Sequence, residues 1–291
     1  KFISDGEISA NLAKNNELIT NIIKKSFAVN DKFCNIYVGE PAFVRNQHSF
    51  FKVRKQSKSN LLVVGNDIAS AVSILGLSTF QIIKQSSNDS KFYIIDLFNI
   101  DNQYYGKLDI LKKISNNVFT ANAVTLPDIL KDVEQEINKR NEEQKNGKVT
   151  NGRIVLVFAY FRNADCFMKA PGEFMEPETK NHLYTIFKKG PDLGIHSLLY
   201  ALDHTTLMEV FDYSTIDDFE NRIALYQGDS LKIIKDDAGS YPKEKGLALI
   251  QAPDGVTSYS ADLFKIYSEI NISNKYSVNN QDIELIKQLF N

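Results

Sequence analysis

The chain has 291 residues, and its 34 basic and 36 acidic residues leave a formal net charge of −2. This balance excludes an overall electrostatic attraction to nucleic acid or to an anionic membrane, so any such contact requires a local patch. The hydrophobic fraction of 43% and the aromatic fraction of 11% predict a globular core. The length suits one large α/β domain or two small ones. The two cysteines, Cys34 and Cys166, lie far apart and have no metal-ligand spacing, which indicates a reducing compartment.

No apolar run approaches the ~20 residues that a membrane-spanning helix needs, and no signal peptide is visible. We therefore expect a cytoplasmic location without direct membrane contact by this chain. The sequence starts at Lys1 and opens within an apolar pattern. We expect it to be a piece of a longer protein, whose other parts can carry a membrane anchor.

Apolar spacings and apolar runs predict the elements in chain order. Recurrence at three- and four-residue intervals predicts helices over residues 5–25, after Gly65 through residue 77, and over residues 125–145, 181–188 and 280–290. Short apolar runs predict strands over residues 34–38, 50–54, 61–64, 91–96, 153–158, 195–202, 222–226 and 247–251. Strands that alternate with helices predict an α/β fold with a mostly parallel sheet covered by helices on both faces. We assign residues 1–38 to an N-terminal helical appendage with a lead-in strand, and residues 39–291 to one principal domain.

The stretch over residues 60–75 is typical of a strand, a tight turn and a helix, which is the local frame of a phosphate-binding P-loop. That motif requires Gly, four residues, and then Gly-Lys-Ser/Thr. Counted from Gly65, the last three positions fall on Ser70, Ala71 and Val72. Ala71 lacks the ammonium group that contacts the β- and γ-phosphates, and Val72 lacks the hydroxyl that binds Mg²⁺. The frame of the motif is present, and its chemistry is missing.

Two interpretations of this frame remain open. The strand, turn and helix can serve packing alone, and Asp67 would then repel phosphate from the turn. Alternatively, a nucleotide still binds there and the lysine comes from elsewhere, with Lys84 and Lys188 as candidates.

The second part of an ATPase site is a carboxylate pair at the end of a buried strand, which supports Mg²⁺ and polarises the attacking water. Here the strand over residues 154–157 runs into Phe158 and Ala159, and the nearest acid is Asp165. Asp96 ends another predicted strand beside the turn. It can bind a metal, contact a replacement lysine, or be capped at the strand end.

Other side chains suggest surfaces rather than chemistry. His196 enters a buried strand, which favours a hydrogen-bonded structural role over catalysis. A small basic cluster beside Phe50 and Phe51 can contact a DNA backbone or protect an edge strand from pairing, and it consists of Lys52, Arg54, Lys55 and Lys58.

The irregular segment over residues 162–180 has the length of a functional loop. We take Arg162 and this segment as the partner-facing region. Alternatively, four apolar side chains of this region are buried as a plug over the vacant turn. They are Phe161, Phe167, Met168 and Phe174.

In this order, the motifs resemble the RecA-like motor domain of the FtsK/SpoIIIE family of translocases, part of the HerA–FtsK superfamily. The resemblance covers residues 39–251. It rests on Gly39-Glu40-Pro41, the Asn-Leu-Leu-Val-Val-Gly of residues 60–65, Tyr-Ile-Ile-Asp of 93–96, Arg-Ile-Val-Leu-Val of 153–157, Gly-Ile-His of 194–196, residues 219–230, and Gly-Leu-Ala of 246–248.

The resemblance implies a RecA-like P-loop NTPase fold whose nucleotide site is degenerate. Ala71 and Val72 replace the Walker A lysine and hydroxyl, Phe158 and Ala159 replace the Walker B acids, and Leu202 takes the place of the sensor glutamine. Degenerate C-terminal modules of this kind occur in multi-module ATPases, including those of type VII secretion.

We therefore expect a pseudo-ATPase module at the C-terminal end of a larger translocase, with no cofactor, or with ATP and Mg²⁺ as the alternative. The expected partners are active ATPase modules of the same polypeptide or ring, DNA, or a secreted or regulatory protein. An active ATPase module of a motor and a DNA-binding module are the competing functions.

Overall fold

The computed structural model describes residues 10–30, 32–43, 47–148, 152–161, 165–168, 177–235, 241–253, 261–272 and 280–291. The strands within these ranges are β1 (Ala10–Asn11), β2 (Phe33–Pro41), β3 (Ser49–Arg54), β4 (Leu61–Val64), β5 (Lys91–Ile95), β6 (Val118–Ala121), β7 (Ile154–Phe158), β8 (Ile195–Ala201), β9 (Asn221–Ala224), β10 (Leu247–Gln251) and β11 (Asp262–Glu269). The α-helices are α1 (Asn16–Lys24), α2 (Ile68–Lys84), α3 (Leu126–Lys145), α4 (Glu178–Lys189), α5 (His204–Val210), α6 (Tyr213–Ile216) and α7 (Gln281–Phe290). Short 3-10 helices cover Leu12–Lys14, Lys107–Lys113, Asp165–Phe167, Pro191–Leu193 and Ser230–Ile233.

All described strands belong to one sheet, in the order β3-β2-β11-β10-β9-β4-β8-β7-β5-β6, with β1 paired to β11. The six strands from β9 to β6 are parallel. The next four, from β10 to β3, extend the sheet by antiparallel pairing. The predicted α/β architecture with a mostly parallel, helix-covered sheet is confirmed.

Strand β4 lies between β8 and β9 and is buried on both faces, as its continuous apolar run indicates. Leu61 and Val63 belong to the core beneath α2, whereas Leu62 and Val64 belong to the core beneath α3, α4 and α5. Helix α2 is buried along its whole length from Ala71 to Ile83. A helix that is buried on all sides in this way is enclosed by its neighbours. The strand and most of the helix that flank the Gly65 turn are therefore buried in the core.

The N-terminal prediction needs correction. Residues 5–9 of the predicted helix lie outside the described part, and Ala10 and Asn11 form β1 rather than helix. The α-helix begins only at Asn16, because the side chain of Asn15 accepts a hydrogen bond from the amide of Leu18 and caps it there. The predicted boundary between residues 38 and 39 falls inside β2, which continues to Pro41 and pairs with β3 and β11. The lead-in strand is thus part of the main sheet.

Besides β1, two further described strands were not predicted from the sequence. Strand β6 has only four residues, two of them exposed, so it lacks a clear apolar run. Strand β11 mixes polar and apolar residues, yet it lies between β2 and β10 in the antiparallel part of the sheet. Both strands are held by pairing with distant segments, which a local pattern does not report.

Two glutamines of α2 close a gap in the sheet. Strand β2 pairs with β11 only from Gly39 to Pro41, so its backbone at Asn35 and Tyr37 lacks a strand partner on that side. Gln81 accepts a hydrogen bond from the Tyr37 amide and donates one to the Tyr37 carbonyl, both at 2.9 Å. Gln85 makes the same pair of bonds with Asn35, at 3.3 and 3.0 Å. The two amide side chains take the place of a neighbouring strand.

Substitution of Gln81→Met should lower the free energy of unfolding by about 1–3 kcal/mol, because it removes the partner of a partly buried amide and carbonyl of Tyr37. Gln144→Met, at an exposed position of α3, is the matched control and should change stability by less than about 0.5 kcal/mol. Urea unfolding of the three proteins measures the difference. Equal stability of the two variants would show that the glutamine does not act as a surrogate strand.

His196 lies fully buried on β8, and its Nδ1 is 2.8 Å from the carbonyl oxygen of Ser59. A carbonyl only accepts, so Nδ1 carries the proton and donates it. Burial lowers the pKa of His196 to about 3, although the hydrogen bond to Ser59 opposes the shift. This geometry agrees with the structural role predicted for the residue.

Stability should therefore fall as the pH drops below about 6.5 and until it nears about 3, because the unfolded chain binds a proton at residue 196 that the folded chain excludes. The contribution of this residue to the slope is at most about 1.4 kcal/mol per pH unit. His196→Asn keeps a donor for Ser59 and removes the titration, so its stability should depend less on pH over this range. Denaturant unfolding from pH 8 to pH 4 measures both slopes, and parallel slopes would contradict the assignment.

Candidate functional site at the P-loop position

The turn after β4 is held by neighbouring strands through its own amides. The amide of Gly65 donates to the carbonyl of Ala201 at 3.2 Å, and the amide of Asn66 donates to the carbonyl of Tyr226 at 2.8 Å. Gly65 has φ +140°, and a Cβ there would lie 2.7 Å from the Cβ of Leu225. Only glycine fits this position. The first two amides of the turn are thus used within the protein.

Asp67 is the N-cap of α2 and is almost fully buried. Its Oδ1 accepts the amide of Ser70 at 3.3 Å, and its Oδ2 accepts the hydroxyl of Ser70 at 2.7 Å and the amide of Gly246 at 3.0 Å. The amino end of a helix favours an anion, and in P-loops this end and its amides hold phosphate. Here a carboxylate of the protein itself accepts those hydrogen bonds. The sequence indicated a repelling charge at Asp67, but its role as a cap linked to Gly246 was missed.

The side chains at the last three P-loop positions do not point a polar group at a nucleotide. Ser70 directs its hydroxyl to Asp67, and Ala71 and Val72 are buried in the core beneath α2. Both proposed replacement lysines lie in the wrong place. Lys84 is the last residue of α2, about 25 Å from the turn at 1.5 Å per residue, and it pairs with Asp282 at 2.8 Å. Lys188 lies near the end of α4, just before the amino end of β8 and thus at the opposite edge of the sheet.

The Walker B positions at the end of β7 are apolar and packed. The ring of Phe158 contacts that of Phe187 edge-on at 6.3 Å, and the amide of Ala159 donates to the carbonyl of Ile95 at 3.0 Å. At the sensor position, the carbonyl oxygen of Leu202 approaches Gly228 so closely that a Cβ there would lie 2.5 Å away.

Asp96 is engaged by the loop that follows it. Its two oxygens accept the amides of Phe98 at 3.0 Å and Gly106 at 2.7 Å. Burial raises the pKa of Asp96, and these two hydrogen bonds oppose the rise. The carboxylate acts as a loop cap, which was one of the three roles considered for it. In the described ranges, no three His, Cys, Asp or Glu side chains are grouped so that they could hold a metal ion.

A row of aromatic residues that the sequence did not single out begins at the turn. The hydroxyl of Tyr200 donates to the carbonyl of Gly65 at 3.1 Å, and burial raises the pKa of Tyr200. The ring of Tyr160 lies 6.1 Å from that of Tyr200 and stacks on Phe98 at 4.6 Å. An aromatic residue inside a strand usually indicates core, so the sequence carries no signal for this contact.

The burial expected in the plug alternative is found for Phe161 and Phe167 and is wrong for Met168. Phe161 stacks on Phe167 at 5.3 Å and on Phe211 at 4.8 Å, within the core beneath α4 and α5. Met168 is largely exposed. Arg162 and Phe174 lie outside the described residues.

The basic cluster lies at the edge strand β3 and at the turn that follows it. The ammonium of Lys52 lies over the ring of Phe33 at 5.7 Å, and the Nε of Arg54 is 3.6 Å from a carboxylate oxygen of Glu220. Lys55 packs against Gly194, and Lys58 is exposed with a left-handed φ of +69°. These residues belong to the amino edge of the parallel strands, far from the Gly65 turn.

No α-helix in the described ranges combines the length and apolar character that crossing a bilayer requires.

No family model and no curated protein matches this chain. Solved structures do match it. EssC (ATPases 2 and 3) from Geobacillus thermodenitrificans matches with 15% identity over 91% of this chain and 50% of its own, with a TM-score of 0.62. The pCW3 conjugation coupling protein TcpA, solved as a monomer with ATPγS, matches with 14% identity over 90% and 70%, with a TM-score of 0.58. Thermomonospora curvata EccC (ATPases 2 and 3), in complex with a signal sequence peptide, matches with 13% identity over 89% and 47%, with a TM-score of 0.53.

These matches confirm the RecA-like P-loop fold, and they agree with the FtsK/SpoIIIE-type resemblance of the motifs. The chain spans about half of the EssC and EccC chains.

Replacement of Asp67 by Ala should destabilise the protein by about 1–3 kcal/mol, because it removes both the cap of α2 and the acceptor for Gly246. Asp212→Ala is the matched control, since Asp212 caps the short helix α6 by bonds to Ser214 and Thr215 alone. Its effect should stay below about 1 kcal/mol. Thermal and urea unfolding compare the two variants, and equal losses would mean that the link to Gly246 contributes nothing.

Proposed function

We propose that this chain is a non-hydrolysing module of a larger translocase motor, in which it packs against active ATPase modules. The observation that carries the proposal is the Asp67 carboxylate, which accepts the amides of Ser70 and Gly246 at the amino end of α2. A phosphate at this helix end would compete with Asp67 for the Ser70 amide and would meet a fixed negative charge. The turn is therefore complete without a ligand.

Two further features support the proposal independently. The ammonium and hydroxyl of a working P-loop are replaced by the buried side chains of Ala71 and Val72. The end of β7 carries Phe158 and Ala159 where the water-polarising acids would be. Because the first pair lies on α2 and the second at the end of β7, repairing one pair leaves the other without its chemistry.

The similar structures suggest the setting of the module. The EssC and EccC chains each contain two ATPase modules, and this chain has the length of about one. A neighbouring active module is therefore the partner we favour. A secreted protein is a second partner, because the EccC structure contains a signal sequence peptide. We place the module in the cytoplasm, in agreement with its low cysteine content of two in 291 residues.

Calorimetric titration with Mg²⁺–ATP tests the proposal. The wild-type chain should show no binding with a Kd below ~100 μM, which corresponds to a binding free energy of about −5.5 kcal/mol. The triple variant Asp67→Gly/Ala71→Lys/Val72→Thr restores the P-loop groups and should bind at least about tenfold more tightly, a gain of about 1.4 kcal/mol. It should still release no phosphate from ATP, because the acids at Phe158 and Ala159 are missing.

Thermal melting must first show that the triple variant is folded, since Ala71 is buried. The wild-type measurement stands even if that variant fails to fold. Binding of Mg²⁺–ATP by the wild-type chain with a Kd below ~100 μM would contradict the proposal. Mg²⁺-dependent phosphate release by the wild-type chain would also refute the non-hydrolysing assignment.

A further inference from the structure

A cavity of about 370 Å³ opens where the parallel strands begin, at the opposite edge of the sheet from the Gly65 turn. Its apolar wall is formed by Phe219, Ala252 and Pro253. The size lies within the range of small-molecule sites, which combine mostly apolar walls with a few convergent polar groups.

The charged side of the cavity has a buried cation at its base. Arg222 is 4% exposed, and its guanidinium donates to the carbonyls of Phe219, Ile233 and Ile216 at 2.7–2.9 Å. The carboxylate of Asp217 lies 3.2 Å from it and is half exposed. The same oxygen of Asp217 contacts the ammonium of Lys235 at 2.8 Å. Two cations thus share one carboxylate oxygen, and positive charge is in excess.

Lys58 adds a third cation to the wall, and its main chain is fixed. Its carbonyl accepts the amides of Asn60 at 2.7 Å and Glu220 at 2.8 Å, while its side chain is exposed. The second carboxylate of the wall, Glu220, contacts the guanidinium of Arg54 at 3.6 Å and is balanced by it. Asp218 lies near Lys58 and also near Lys188, so it does not cancel the excess.

We propose that this cavity binds an organic anion with one apolar group, of the size of an aromatic carboxylic acid. The anionic group contacts Lys58 and Lys235, and the apolar group packs against Phe219, Ala252 and Pro253. Arg222 supplies fixed positive charge from beneath. Two kinds of ligand combine such an anionic group with an apolar group: a free carboxylic acid and the C-terminal residue of a peptide. The site is independent of nucleotide binding at the other edge of the sheet.

Fluorine NMR titration of the chain with para-fluorophenylacetate tests the site. The acid should bind with a Kd of about 1 mM or tighter, and the neutral para-fluorophenylacetamide at least about tenfold more weakly. The variant Lys58→Gln/Lys235→Gln should weaken binding of the acid by a similar factor. Lys131→Gln/Lys145→Gln, which removes two exposed lysines of α3, is the matched control and should leave the affinity unchanged.

A tetrapeptide ending in para-fluorophenylalanine with a free carboxylate distinguishes the sources. Binding like that of the acid supports a peptide C-terminus, and binding of the acid alone supports a free acid. The proposal is overturned if the acid does not saturate the chain below about 10 mM, if the amide binds equally well, or if the Lys58/Lys235 variant binds like the wild type. Thermal melting verifies that each variant is folded.

Discussion

The hydrogen bonds to the buried carboxylate of Asp67 hold together the centre of this fold. They cap α2, tie it to the amide of Gly246 before β10, and place a negative charge at the helix end where it is most stable. Because α2 is buried along most of its length, the position of its first residue fixes how its side chains pack into the core on its face of β4. A P-loop protein stabilises the same place with a bound phosphate, whereas this chain uses a side chain.

The rest of the carboxyl edge is consistent with a self-contained turn. Tyr200 donates to the carbonyl of Gly65, and the amide of Asn66 donates to Tyr226. Asp96, for which the sequence analysis considered metal binding, accepts hydrogen bonds from two loop amides. These polar groups therefore all have partners within the protein.

Local patterns predicted the elements that are buried on both faces. The apolar runs of β4, β7 and β8 leave no alternative to central strands, and the repeat after Gly65 predicts a long helix. The same patterns failed where stability comes from distant partners. Strand β11 has a mixed sequence and depends on β2 and β10, and the glutamines of α2 resemble ordinary helix residues until their bonds to β2 are seen.

The sequence by itself determined the class of the fold and which P-loop groups are missing, because both depend on residue type and spacing along the chain. The Ala71, Val72, Phe158 and Ala159 positions can be read without coordinates. Only the tertiary structure decided what replaces the missing groups. Asp67 and Gly246 are 179 residues apart in sequence. The cavity residues Lys58 and Lys235 are separated by a similar number of residues. Strand order in the sheet brings such residues together, and a local sequence pattern does not report it.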